Sequence, residues 1–237
     1  MTAATAPLAA REAYRLWAAS YDEENPVTAL EDRCVRELTP PFGGKWLLDA
    51  ACGTGRRIPR TEGRGPRRVT GVDFVYEMLG GARARADIGA PGGRARLADL
   101  AAADLRALPF PSRSFDVIWC RLAVGHLAEL GDVYHELARV ARSDAHIIIT
   151  DFHPRAAIAG HLRSFRDTRG RKHIVEHFVH DIGAHLDAAG TVGLRLVERR
   201  EPAVGRAVRP FYAAAGKLDA YEQQRGLPLV LALAYLV

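Results

Sequence analysis

Seven short apolar runs, spaced by stretches long enough for a helix, constrain this chain more than any other feature. The runs are Trp46–Ala50, Arg68–Asp73, Arg96–Ala102, Phe115–Cys120, His146–Asp151, Gly193–Val197 and Leu229–Leu236. Several carry polar residues at their ends and a continuous apolar interior, the pattern of strands buried on both faces. Amphipathic stretches at about 77–88, 130–142, 179–189 and 210–225 lie among them, each long enough for a crossover. Alternation of this kind predicts an α/β fold: a mostly parallel sheet of seven strands with helices on both faces. Two regions stand outside it. Residues 8–38 read as one or two helices, with Tyr14, Trp17 and Tyr21 on one face and a break from Asp22 to Pro26. Residues 152–180 follow the fifth run and are rich in His, Arg and Gly. Both are expected to cover the end of the sheet, the first as an N-terminal helical lid. The whole chain, 1–237, is expected to form one domain, with a core at 46–151, a substrate-side insertion at 152–180 and the rest of the sheet at 181–237.

Charge narrows the function less than it first promises. There are 33 basic residues against 28 acidic, a net of +5. The basic residues are nearly all arginine and spread along the chain. The densest cluster, Arg56, Arg57, Arg60, Arg64, Arg67 and Arg68, has no interleaved aromatics to stack on bases, so no nucleic-acid partner is expected. Three scattered cysteines form neither a disulfide framework nor a zinc pattern. No run approaches 18 apolar residues and the first ten residues do not read as a signal peptide, so a cytoplasmic protein without a membrane partner is expected, as a monomer or homodimer.

The stretch WLLDAACGTGRR, residues 46–57, carries the chemistry. A strand ends at Asp49, and Gly53-Thr54-Gly55 follow, where glycines allow a tight turn and close approach of backbone to ligand. In open α/β sheets ligands bind at the carboxyl ends of the strands. The third glycine of a dinucleotide fingerprint is replaced by Ile58, and the Asp49 carboxylate opposes a pyrophosphate but suits an ammonium. The second strand ends at Asp73, placed to accept hydrogen bonds from ribose hydroxyls. These features point to a nucleoside bearing a cationic amino group.

Residues 46–57, with GVDFVYEML at 71–79, AADLRALPF at 102–110, FDVIWC at 115–120, GHLAEL at 125–130, HELARV at 135–140, IIITDFHP at 147–154 and WAASYDEENP at 17–26, resemble class I S-adenosylmethionine-dependent methyltransferases of the small-molecule, methyltransferase type 11-like branch. The resemblance implies a Rossmann-like sheet and S-adenosyl-L-methionine as cofactor. It implies that Asp49 and the backbone of Ala51, Gly53 and Gly55 hold the methionine moiety, and that Asp73 takes the ribose. Phe74 and Met78 would flank the adenine, Asp104 would accept from its amino group beside the Leu105 amide, Cys120 and Arg121 would line the cofactor, and Tyr21 would close over the methionine end. Two departures from the family are visible. RRIPRTEGRGP after Gly55 predicts a short or irregular helix, and Arg142-Ser143-Asp144-Ala145 stands in place of a Pro-Gly-Gly turn.

Methyl transfer needs an acceptor aligned with the methyl carbon and, for oxygen or nitrogen, a base. His126 follows the fourth strand, Asp151 ends the fifth and His153 lies two residues further; these are the catalytic candidates. Each also has a structural reading: His126 packing under Leu127, Asp151 capping a turn, His153 as a rigid loop residue before Pro154. His177, His180 and Tyr14 are secondary candidates. The spacing of His153, His177 and His180 matches no ligand pattern, so no metal is expected. The expected function is methyl transfer to an oxygen or nitrogen of a small metabolite, with secondary metabolism as the expected setting. The alternative is the same fold using the bound sulfonium for cyclisation, elimination or rearrangement.

Overall fold

The computed structural model describes residues 6–57, 65–87 and 97–237. The elements are α1 (Ala10–Trp17), α2 (Pro26–Leu38), β1 (Trp46–Ala50), β2 (Arg68–Asp73), α3 (Tyr76–Asp87), β3 (Leu97–Ala102), β4 (Phe115–Arg121), α4 (Gly131–Val140), β5 (Ala141–Phe152), α5 (Pro154–Ile158), β6 (Ser164–Arg166), β7 (Lys172–Ile174), α6 (Ile182–Thr191), β8 (Arg195–Arg200), α7 (Arg209–Ala214), α8 (Leu218–Gln224) and β9 (Val230–Leu236). Seven strands form one sheet in the order β3-β2-β1-β4-β5-β9-β8. The pairs among β3, β2, β1, β4 and β5 are parallel, and β9 runs antiparallel to both its neighbours. Reversal of the strand order at β1 and β4 opens a crevice at their carboxyl ends, and the site lies there.

The apolar runs become strands because each has two faces to bury. Leu48, Ile118, Ile147 and Ile149 belong to a core shared with α4 and α6, whereas Leu47, Val117 and Ile148 join a second core beneath α2. At the far edge β8 reads RLVERR, and its charges discourage pairing with another chain.

Helix boundaries follow local chemistry. The break at 22–26 is the start of α2: Asn25 accepts from the Thr28 amide, Thr28 Oγ1 accepts from the Asn25 amide, and Pro26 occupies the first turn. The expected helix at 210–225 is two, α7 and α8, divided at Gly216 with φ +65°. Asp144, in the segment where the family pattern has a Pro-Gly-Gly turn, lies within β5 and adopts φ +64° where the register with β4 shifts. Arg96 and residues 58–64, where the irregular helix was expected, lie outside the described residues.

The two regions outside the alternation meet each other. Leu8 bridges to Val175, and the rings of Trp17 and Phe165 stack at 4.8 Å. Tyr14, Val75, Met78, Phe165 and Val175 bury one another, so α1, α3 and the β6–β7 hairpin share a small core beside the crevice. The two expected lids form one cap.

Candidate active site

The loop after β1 is held by backbone geometry. Ala51, Gly53 and Gly55 all take left-handed φ values of 66°, 56° and 68°, and the Cys52 amide donates to the Val72 carbonyl at 2.8 Å. At Gly53 a Cβ would stand 3.2 Å from the Tyr21 ring, so the absent side chain lets that ring lie over the loop. Asp73 joins loop to strand: its two carboxylate oxygens accept from the Gly53 and Val75 amides, each at 2.9 Å. Burial raises its carboxyl above the ordinary range while those amides oppose the rise.

Asp49 is the least satisfied acid. It is 1% exposed, and its Oδ1 has no hydrogen-bond partner. Burial lifts its carboxyl to about 7, offset in part by the Arg121 cation. Arg121 is itself committed to Glu31 through two hydrogen bonds of 2.8 and 2.7 Å, with Asp32 at 3.1 Å, tying α2 to the end of β4. The N-terminal segment is latched further by Thr54 donating to Asp22, Arg56 to the Asp22 carbonyl, and Arg57 to the Thr28 carbonyl.

A cavity of about 370 Å³ opens beside these groups, within the size range of small-ligand sites. Its walls are Ala51 and Gly53 from the loop, Asp73, Phe74 and Met78 from the β2–α3 corner, Asp104 and Leu105 after β3, Arg121 at the end of β4, and Arg11, Tyr14 and Tyr21 from the cap. Asp49 and Gly55 are set back from the wall, although the electrostatic neighbours of Asp49, Arg121 and Asp73, line it. Cys120 is also set back: it is fully buried between Ala50 and Ile149 in the sheet and is not on the cavity wall. Asp104 is bound by Arg106, whose guanidinium and amide hold its carboxyl below the usual range. Sequence reasoning missed Arg106 and Arg11; the latter donates to the Phe74 carbonyl at 2.7 Å and lies over the Phe74 ring.

On the opposite wall His126 sits between two partners. Its Nδ1 is 3.0 Å from the Glu176 carbonyl and its Nε2 is 2.9 Å from the Tyr14 hydroxyl. A carbonyl only accepts, so Nδ1 carries the proton and Nε2 accepts from Tyr14. Burial, reinforced by the nearby Arg163 cation, holds His126 well below the usual histidine range, so the ring is neutral at pH 7. Burial also raises Tyr14.

The other two catalytic candidates, Asp151 and His153, are not on the cavity wall. Strand alternation turns Asp151 to the same face as Ile147 and Ile149, away from the cavity; it is 1% exposed, accepts from the Phe152 amide at 2.7 Å, and faces His185 Nε2 at 3.4 Å. His185 continues to Tyr134 at 2.9 Å, forming a polar chain inside the core. His153 caps α5: Nδ1 accepts from the Arg155 amide and Nε2 donates to Glu201 at 3.0 Å. His180 meets the Leu127 carbonyl, and no group of three metal-ligating side chains converges among the described residues.

Residues 48–149 match a family model described as a methyltransferase domain. The chain is 30% identical over 167 residues to phosphatidylethanolamine N-methyltransferase of Cereibacter sphaeroides, covering 68% of this chain and 79% of that one. It belongs to the class I S-adenosylmethionine-dependent methyltransferases. It is also 31% identical over 132 residues to the 27-O-demethylrifamycin SV methyltransferase of Amycolatopsis mediterranei, covering 54% of this chain but only 46% of that one. An S-adenosylmethionine-dependent methyltransferase from Mesorhizobium loti shares the fold with TM-score 0.65 at 21% identity, covering 88% of this chain and 98% of that one. The methyltransferase cofactor is S-adenosyl-L-methionine, and the residues here fit it. The unpartnered, buried Asp49 oxygen suits an ammonium, Asp73 retains lone pairs for hydroxyls, and the glycine loop leaves room for a ligand against its backbone.

Proposed function

We propose that this methyltransferase transfers a methyl group to an oxygen or nitrogen of a small metabolite, with His126 as the general base. The observation that carries the reading is the Glu176–His126–Tyr14 chain, which leaves the basic Nε2 of a neutral imidazole on the wall of the cavity. Two relatives, one named for nitrogen and one for oxygen methylation, support that range of acceptors. A secondary metabolite and a cytoplasmic setting remain the preferred context; no helix among the described residues is long and apolar enough to cross a membrane.

When bound, the cofactor supplies an electrophilic methyl group on a sulfonium. Asp49 would answer its ammonium, with the backbone of Ala51, Gly53 and Gly55 around the methionine end and Tyr21 over it. Asp73 would accept from the ribose, Phe74 and Met78 would flank the adenine, and Asp104 with the Leu105 amide would meet its edge. Arg121 holds the floor through Glu31. On the acceptor side the Tyr14 hydroxyl gives up its place at Nε2 to the acceptor O–H or N–H. His126 takes that proton while the Glu176 carbonyl steadies the resulting imidazolium at Nδ1. The cap over the cavity excludes water from the transfer.

The test is incubation with methyl-labelled cofactor and a panel of hydroxylated and amine acceptors, followed for labelled product and S-adenosylhomocysteine. Transfer that His126→Ala reduces about a hundredfold or more supports the assignment. Product formed without cofactor consumption would establish the alternative, non-methylating chemistry.

A further inference from the structure

Residues 154–172 hold six basic side chains, Arg155, Arg163, Arg166, Arg169, Arg171 and Lys172, against one acid, Asp167, so this stretch carries a charge equal to that of the whole chain. Several arginines elsewhere are matched by acids: Arg57 pairs with Glu24 and Asp32, and Arg68 with Asp99. Within 154–172 Arg171 pairs with Asp167, which is shared with His173. The other five form no ion pair among the described residues, and Arg155, Arg166, Arg169 and Lys172 are exposed.

Two large aliphatic side chains stand in the same stretch. Ile158 is 85% exposed and Leu162 is 59% exposed. They flank a turn at Gly160 (φ +85°) that is closed by the Gly160 amide on the Ala157 carbonyl and the His161 amide on the Ala156 carbonyl. A turn so closed holds both tips in water, next to uncompensated cations.

We propose that residues 154–172 are a docking surface for an anionic lipid bilayer, with Ile158 and Leu162 entering the headgroup boundary and the basic groups facing lipid phosphates. Aliphatic tips beside unpaired cations are the chemistry of interfacial binding, in which apolar burial and attraction to anionic lipid act together. A nucleic acid would use the cations and leave the tips idle; the phenylalanine of the stretch, Phe165, is buried against Trp17 and cannot stack on a base. A second copy of the chain joined through the same surface would set like charge against like. The absence of a membrane-spanning run, from which no membrane partner was expected, does not bear on surface docking. The stretch leads from β7 through Val175 to Glu176, whose carbonyl holds His126. Docking would therefore place the acceptor wall close to the bilayer and suit an amphiphilic acceptor; that consequence rests on the proposed role of His126, whereas the docking does not.

Vesicle flotation tests it, using phosphatidylcholine with and without phosphatidylglycerol at low and high salt. The protein is expected to float with the anionic vesicles, to stay unbound with phosphatidylcholine alone, and to be released by salt. The Ile158→Asp/Leu162→Asp and Arg166→Glu/Lys172→Glu variants should each bind at least about tenfold more weakly. Val197→Asp, exposed on β8, should bind like the parent. Circular dichroism melts verify that each variant is folded, independently of any cofactor. Failure of the parent to bind anionic vesicles, or unchanged binding by the Ile158/Leu162 variant, would overturn the proposal. So would a dimer in sedimentation velocity that this variant dissociates, or preferential binding of an RNA oligonucleotide that it leaves unchanged.

Discussion

With Asp49 as the proposed partner of the cofactor ammonium, cofactor affinity is expected to depend on pH near neutrality. Its carboxyl lies at about 7 because burial withholds water from the charged form, and the unpartnered Oδ1 offers no internal compensation. An ammonium-bearing cofactor binds the ionised acid. With that value, about 90% of the protein is ionised at pH 8 and about 10% at pH 6, so affinity should fall about tenfold, or ~1.4 kcal/mol, over that interval. The stability sign is opposite. The unfolded acid ionises near its ordinary value of 3.8 and the folded one only near 7. Between these the folded state holds the extra proton, and stability declines as pH rises through that window, at most by about 1.4 kcal/mol per pH unit. Calorimetric titration with S-adenosylhomocysteine at pH 6, 7 and 8, on the parent and on Asp49→Asn, measures both arms. The variant should bind more weakly at pH 8, lose most of the pH dependence, and melt at higher temperature than the parent at that pH. Equal affinity of the parent at pH 6 and 8, or an undiminished slope in Asp49→Asn, would refute the reasoning.

Other predictions follow from the same geometry. Because His126 is held neutral well below the usual histidine range, the acid limb of kcat attributable to it should lie below pH 6.5, and a limb near 7 that vanishes in His126→Ala would contradict its environment. Tyr14→Phe should lower kcat less than His126→Ala while leaving S-adenosylhomocysteine affinity within a few-fold. Glu31→Gln strips the buried Arg121 of its principal carboxylate and should cost about 3–5 kcal/mol in urea unfolding. At Gly125 a Cβ would stand 2.1 Å from His177 Cε1 and 2.7 Å from Asp151 Oδ1, so Gly125→Ala should destabilise by about 1–3 kcal/mol, read as a lowered Tm.

Strand positions were legible because a residue pair such as Leu47 and Leu48 must bury on opposite faces whatever the partner strand is, and the seven apolar runs correspond to the seven strands of the sheet. Asp49, Gly53 and Asp73 were legible for a related reason: a strand end followed by glycines leaves few backbone paths, and the acid on the next strand reaches that loop by register, with Asp49 opposite Gly71. Candidate catalytic side chains were harder. His126, Asp151 and His153 all lie at or just past strand ends, yet pleat parity turned Asp151 into the core and Pro154 made His153 a helix cap.

By itself, the sequence determined the layered α/β architecture and the positions of the glycine loop and the strand-end acids beside the crevice, since both depend on local periodicity and on short-range turn chemistry. The tertiary structure decided which histidine faces the cavity. Tyr14, His126 and Glu176 lie far apart in the chain, and only the joining of α1 to the β6–β7 hairpin brings them into one hydrogen-bonded line. It also decided which charges are cancelled. Arg57 and Arg121 find acids on α2 that no spacing rule connects to them, whereas most of the cations of 154–172 find none among the described residues, because pairing depends on packing between distant elements and not on neighbours in sequence.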